Sequence, residues 1–142
     1  MKTSARNQFT GTIHAVRAGA INDEIDLDIG ASLHIVATVT RESREELKLA
    51  VGAKAFALVK ASSIILMTDT DDVRLSARNQ LAGTVTQVTP GAVNAEVVLA
   101  LAGGGQVAAI ITNESAKNLA LAKGSKATAI FKASSVIVGV VA

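Results

Sequence analysis

Ser4-Ala5-Arg6-Asn7-Gln8, followed by Gly11-Thr12, returns as Ser76-Ala77-Arg78-Asn79-Gln80, followed by Gly83-Thr84. From this pair the alignment runs outward without a gap: residues 4–68 match 76–140 at a constant offset of 72 (76 − 4). About 29 positions are identical, enough to mark an internal duplication. The identities cluster. Gly19-Ala20-Ile21-Asn22-Asp23-Glu24 returns as Gly91-Ala92-Val93-Asn94-Ala95-Glu96, and Lys60-Ala61-Ser62-Ser63 as Lys132-Ala133-Ser134-Ser135. The chain is therefore read as two tandem domains, 1–68 and 75–142, joined by an acidic linker over 69–74. That linker lacks the spacing and the glycine of a calcium loop and reads as a solvated connection.

Each repeat predicts the same elements. Residues 7–16 and 20–29 are rich in β-branched side chains and are separated at Gly19. Ile25, Leu27 and Ile29 alternate with Asp26 and Asp28, the pattern of a strand with one wet face. A third strand is predicted over 34–39 and a short helix over 42–50. Ser43 and Glu46 are spaced as a capping box, and Gly52 is a stop. Strands over 53–59 and 64–66 flank the Lys60–Ser63 turn. Thr112-Asn113-Glu114-Ser115 and Gly124 bracket the second helix, and Gly103-Gly104-Gly105 reads as a flexible hairpin. The order β-β-β-α-β-β predicts an all-β fold with short helices: two tandem OB-like, five-stranded Greek-key barrels. A unit of about 65 residues is marginally stable alone. Val98 and Ala100 replace Asp26 and Asp28, so that strand is apolar on both faces and requires a cover, from the other repeat and from other subunits.

Composition narrows the function. Of 142 residues about half are apolar, none is cysteine, and the net charge is +2 from 14 basic and 12 acidic side chains. No thiolate metal site or disulfide is available. The basic residues are scattered rather than striped, and only Phe9, Phe56 and Phe131 are aromatic, which argues against a nucleic-acid partner. No apolar run reaches membrane-span length, and the N-terminal residues lack the apolar stretch of a signal peptide. A cytoplasmic location without membrane association is expected. His14 and His34 align with Thr86 and Gln106, so neither a histidine metal site nor a Ser-His-Asp triad can be common to both copies. Glu24/Glu96 and Glu42/Glu114 are shared, but no shared nucleophile accompanies them, and no enzymatic activity is expected.

What both copies keep is donor chemistry. Ser4, Ala5 and Arg6 offer a hydroxyl, a guanidinium and approachable backbone N–H groups; Lys60, Ala61 and Ser62 offer an ammonium, more N–H groups and a hydroxyl. Thr40 and Ser43 stand where the helix begins. The second set is Ser76, Ala77, Arg78, Thr112, Ser115, Lys132, Ala133 and Ser134. Each set reads as a cup with two positive charges and no acid, suited to a compact dianion.

With this order of motifs, SARNQ–GT–GA(I/V)N–KASS, the sequence resembles the molbindin family of Mop-like molybdate-binding domains over nearly its whole length, twice. It is most similar to the tandem, di-Mop branch. The resemblance implies OB-like barrels, a homotrimer, and oxyanion sites between neighbouring domains. It implies molybdate as ligand, with tungstate as the alternative, held for storage or homeostasis. On that pattern Ser4, Arg6, Lys60 and Ser62 bind, with Thr40 and Ser43 reaching in across an interface. A second kind of site is implied near a symmetry axis, with Gly19, Ala20, Asn22, Gly91, Ala92 and Asn94 as candidates. No helix-turn-helix is expected ahead of the repeats, so the related regulators are expected to fit less well.

Overall fold

Alternation of apolar and polar side chains writes the sheets. In a computed structural model describing residues 1–141, β1 (Asn7–Arg17) turns Phe9 and Ile13 inward, and β2 (Asn22–Gly30) turns Ile25 and Leu27 inward while Glu24, Asp26 and Asp28 face outward. β3 (Leu33–Thr40), β4 (Lys54–Val59) and the three-residue β5 (Ile65–Met67) follow, with a 3-10 turn at Ala61–Ser63 between the last two. The second copy gives β6 (Asn79–Pro90), β7 (Asn94–Leu101), β8 (Gln106–Thr112), β9 (Lys126–Phe131), a 3-10 turn at Ala133–Ser135, and β10 (Ile137–Gly139). Register shifts after Ile13 and after Val85 put one bulge in each long first strand, sharpening the curl of both sheets.

The sheet orders are β10-β4-β1-β2-β3 and β5-β9-β6-β7-β8. The predicted all-β, five-stranded class holds, but the fifth strand of each sheet comes from the other repeat. Ile65, Leu66 and Met67 pair with Ile130, Ala129 and Thr128; Ile137, Val138 and Gly139 pair with Leu58, Ala57 and Phe56. Side-chain volume follows the exchange. A Cβ on Gly139 would meet the Phe56 ring at 2.4 Å, whereas the matching crossing sets Met67 opposite the smaller Thr128. The buried apolar side chains of both copies form one continuous cluster, from Phe9 and Ile25 through Leu99 to Phe131. Val98 is buried within the chain, so part of the cover that its strand requires is supplied by the chain itself; Ala100 remains exposed.

Two buried asparagines lock the halves. The Asn7 side chain donates to the Ala108 carbonyl at 2.8 Å and accepts from the Ala108 N–H at 2.7 Å; Asn79 does the same to Val36 at 2.8 and 2.7 Å. Each amide therefore acts as a one-residue strand along the edge of the opposite sheet. Asn7 is 1 % exposed and Asn79 0 %, so water cannot substitute for either partner.

The helices are shorter than predicted. α1 covers only Arg41–Glu46 and α2 Asn113–Asn118. Lys48 and Ala120 take φ of 54° and 52°, left-handed values that end the helices before Gly52 and Gly124, themselves left-handed, enter the next turn. Capping also lies three residues earlier than the Ser43–Glu46 box: Thr40 is the N-cap, its hydroxyl accepting from the Ser43 N–H at 3.1 Å, and Thr112 caps Ser115 at 3.0 Å. Gly103-Gly104-Gly105 does form the β7–β8 hairpin, with Gly103 and Gly104 in left-handed conformations.

Because the sheets exchange strands over one core, chemical unfolding should give a single transition for both halves. Asn7→Ala or Asn79→Ala should each cost about 2–6 kcal/mol, since two buried backbone groups lose their partners at about 1–3 kcal/mol each. Denaturant titration by circular dichroism checks this; Gln8→Ala, at an exposed position, should change stability by less than about 0.5 kcal/mol.

Candidate functional site

The exchange sets the first candidate cup at the seam between the halves. Ser4, Ala5 and Arg6 lead into β1, while Lys60, Ala61 and Ser62 follow β4 and open the 3-10 turn. All six line one cavity of about 370 Å³, whose other walls include Leu58 from the same half and Ile110, Ser135 and Ile137 from the opposite one. Lys60 and Lys132 are the N-cap residues of their turns, with extended φ/ψ of −67°/136° and −76°/144°. The backbone N–H groups at the start of such a turn are those that helical geometry leaves without an internal acceptor. Among the described residues, neither lysine is in an ion pair. The turn of the second set packs on β3 as the first packs on β8, while its Arg78 borders a separate cleft with Arg17, Gly19 and Glu24.

No acidic side chain lines the first cup, but a glutamate meets the arginine of each set. Arg6 donates through both terminal nitrogens to both oxygens of Glu96, with Nη2–Oε1 at 2.8 Å, and Arg78 donates to Glu24 at 2.8 Å. These partners are 90 and 54 residues apart in sequence and meet only because the halves interlock. Retention of both glutamates alongside both arginines in the two copies was the available signal. Arg17, 3.5 Å from Glu24, has no counterpart in the second half, where the residue is Thr89.

Thr40, Ser43, Thr112 and Ser115 do not line the first cup. Within each pair the hydroxyls bond each other, at 2.9 Å for Thr40–Ser43 and 2.8 Å for Thr112–Ser115, so in this chain they serve as helix caps.

The second group of candidates forms the β1–β2 and β6–β7 turns. Gly19 and Asn22 border a cleft of about 320 Å³ with Arg17, Asp23, Glu24 and Arg78, while Ala20 and Ala92 are exposed at the tips beside Ile21 and Val93. Gly91 donates to the Asn94 carbonyl at 2.7 Å; a Cβ on Gly19 or Gly91 would strike that turn's asparagine carbonyl at 2.2 or 2.9 Å, which explains both glycines. Asp23 is buried beneath the first turn. It accepts from Arg44 and, at 2.9 Å, from the Gly19 N–H, with Arg41 4.0 Å away. The Arg44 hydrogen bond, then the Gly19 N–H, hold its carboxyl below the usual carboxylate range.

Other features fit an anion less well. A larger cleft of about 560 Å³ contains Lys54, but that ammonium bonds Thr12 at 3.3 Å and shares the cleft with Asp28. His14 and His34 stack edge to face at 5.2 Å, with His34 2.6 Å from Asp26. Among the described residues no group of three or more His, Asp or Glu side chains is arranged to hold a metal cation, and no helix is long and apolar enough to cross a membrane.

Comparison with known proteins agrees with the duplication. The TOBE domain model matches residues 3–66 and again 75–138. The molybdenum transport protein ModE of Herbaspirillum seropedicae is 47 % identical over 140 residues, 99 % of this chain and 52 % of the relative. The molybdenum-pterin-binding protein MopA of Rhodobacter capsulatus is 43 % identical over 137 residues, 96 % of this chain and 52 % of the relative. The chain thus spans about half the length of these curated relatives. A crystal structure of the cytoplasmic molybdate-binding protein ModG, with molybdate bound, superposes with a TM-score of 0.96 at 49 % identity, covering 99 % of both chains.

Asp23 makes the acid limb of stability testable. A carboxyl depressed in the folded state contributes stability that is complete above the ordinary carboxylate value of about 4 and is lost as pH falls through the folded value. Asp23→Ala, which installs the residue of the matching position 95, should be less stable than wild type at pH 7. It should lose less further stability between pH 5 and pH 3, measured by urea unfolding at each pH.

Proposed function

The chain belongs to the TOBE-domain family in both of its halves, and from that premise we propose that it binds molybdate reversibly, for storage or homeostasis inside the cell. The observation that carries this reading is the cavity that joins the Ser4–Arg6 segment to the Lys60–Ser62 turn, with its arginine, its unpaired lysine and its hydroxyls. The near-identical backbone of ModG, which holds molybdate, supports it.

The chemistry comes from the donors. A tetrahedral dianion entering the cup gives up water and receives charge-assisted hydrogen bonds from Arg6 and Lys60, which are shorter and stronger than neutral ones. Ser4 and Ser62 add hydroxyl donors, and the small side chains of Ala5 and Ala61 let the oxygens reach backbone N–H groups. The second cup uses Ser76, Ala77, Arg78, Lys132, Ala133 and Ser134 in the same roles. Tungstate, of nearly the same size and charge, binds too; sulfate is smaller and cannot reach every donor at once. Gly19, Ala20, Asn22 and their matches Gly91, Ala92 and Asn94 form the second kind of site at the hairpin tips. The protein acts by binding alone, without catalysis, in the cytoplasm.

A homotrimer completes the reading, with Thr40, Ser43, Thr112 and Ser115 offered to cups of neighbouring subunits. The exchanged strands favour it: Ile65 on β5 is 64 % exposed and Ile137 on β10 is 63 % exposed, and the tips carry exposed Ile21 and Val93. Large apolar side chains left this exposed favour association. Light scattering in the presence of molybdate should give the trimer mass; a monomer at micromolar concentration removes this assembly.

Lys60→Ala and Lys132→Ala test the cups. Losing a hydrogen bond to a charged group costs about 1.5–3 kcal/mol, or roughly tenfold to 150-fold in affinity. Each variant should weaken one class of sites in calorimetric titration with molybdate, and the double variant both. Lys48→Ala should bind as wild type does. Molybdate and tungstate should also raise the melting temperature by mass action, while single-stranded DNA should not. Full affinity in a folded double variant rejects the site.

A further inference from the structure

We propose that Glu24 and Glu96 are the selectivity residues of the two cups. Each is a resident counter-anion that an incoming oxyanion must displace from an arginine, and Arg17 makes the two displacements unequal. This rests on the molybdate reading and describes how that same site chooses its ligand.

The pairing is reciprocal. Glu96 of the second half closes on Arg6 of the first, and Glu24 of the first half closes on Arg78 of the second. The carboxylates are the fixed partners. Glu24 lies within β2 opposite Thr38, and Glu96 within β7 opposite Ile110; their side chains are 26 % and 25 % exposed. The arginines are the more exposed partners, at 52 % for Arg6 and 47 % for Arg78. A guanidinium presents its N–H fork to a carboxylate or to a tetrahedral oxyanion with the same geometry, so one excludes the other. An anion reaching the cup meets an arginine already satisfied and a negative charge beside it.

That arrangement sorts ligands by charge. A monoanion offers the arginine no more than the glutamate does, and the cup stays closed. A dianion engages Arg6, Lys60 and the serines together, and this set offsets the loss of the Glu96 contact. Cavity size then separates dianions of different radius, so charge and size are read by different groups.

Displacement leaves the two glutamates in different surroundings. When Arg78 swings to an anion, Glu24 keeps Arg17 at 3.5 Å; when Arg6 swings, Glu96 has no second arginine, because Thr89 occupies the matching position. Arg78 is also the less tightly held, since it shares its carboxylate with Arg17. The cup built on Arg78 and Lys132 therefore fills at lower molybdate concentration than the cup built on Arg6 and Lys60.

The test is calorimetric titration of the intact two-repeat chain with molybdate and, separately, with perrhenate, a tetrahedral monoanion of similar size. Wild type should bind molybdate and ignore perrhenate. Glu96→Gln, nearly isosteric, should tighten the weaker class of molybdate sites about two- to fivefold, the range of an exposed ion pair, and should bring perrhenate binding into range. Arg17→Thr, at a side chain 69 % exposed, should weaken the tighter class by a similar factor and draw the two classes together without altering any donor of either cup. Lys60→Ala and Lys132→Ala, run in parallel, separate the glutamate role from the cups themselves. If they weaken binding while Glu96→Gln leaves both anions unchanged, the glutamate role is overturned and the cups stand. If they do not weaken binding, the cups fall and the glutamate role falls with them. An Arg17→Thr protein with wild-type affinities overturns the proposed inequality.

Discussion

Two carboxamides hold this molecule in register. Asn7 and Asn79 each give a donor and an acceptor to one backbone residue of the opposite sheet, in a place water does not reach. A sheet edge left unpaired there would carry a buried N–H and C=O, which folded proteins avoid almost entirely. The asparagines therefore fix where β1 lies against β8 and where β6 lies against β3. From that register come the crossing of β5 and β10 into the other sheet, the continuity of the core, and the meeting of Arg6 with Glu96.

The candidate cups inherit their geometry from the same constraint. Arg6 immediately precedes Asn7, and Arg78 precedes Asn79. Each cup is therefore anchored at one residue's remove from a buried bidentate contact, while its arginine stays partly in water. Lys60 and Lys132 are anchored differently, as N-caps of turns that lead straight into the exchanged strands. Preorganised donors on a rigid frame, with one solvent-exposed arm, are what a site needs to grip a small anion without a large ordering cost.

Much of this was legible from residue order. Alternation gave the strands, and the clusters kept in both copies picked out Ser4–Arg6 and Lys60–Ser62, which do line one cavity. Three things were not legible, each for a physical reason. Ile65-Leu66-Met67 is too short to carry a register of its own, so its pattern fits either sheet. Lys48 and Ala120 end the helices in left-handed conformations without a glycine to announce them, and Leu47 and Leu49 prolong the apparent helical period past the true end. The Arg–Glu pairs join residues whose separation reflects the interlock and no local rule; Glu24 and Glu96 read alone are only wet-face strand residues.

The exchange of three-residue strands also fixes what the duplication achieved. A lone copy of this unit would have to take its fifth strand, and the partner for its asparagine, from a second molecule, and its folding would depend on dilution. Joining the copies through residues 69–74 turns that encounter into an intramolecular one, at an effective concentration in the millimolar range for a short tether. Freed from self-complementarity, the two faces of the seam no longer have to be the same. Gly139 against Phe56 and Met67 against Thr128 are two separate solutions to one packing problem. Arg17 without an arginine at position 89 is the same freedom exercised beside a candidate cup.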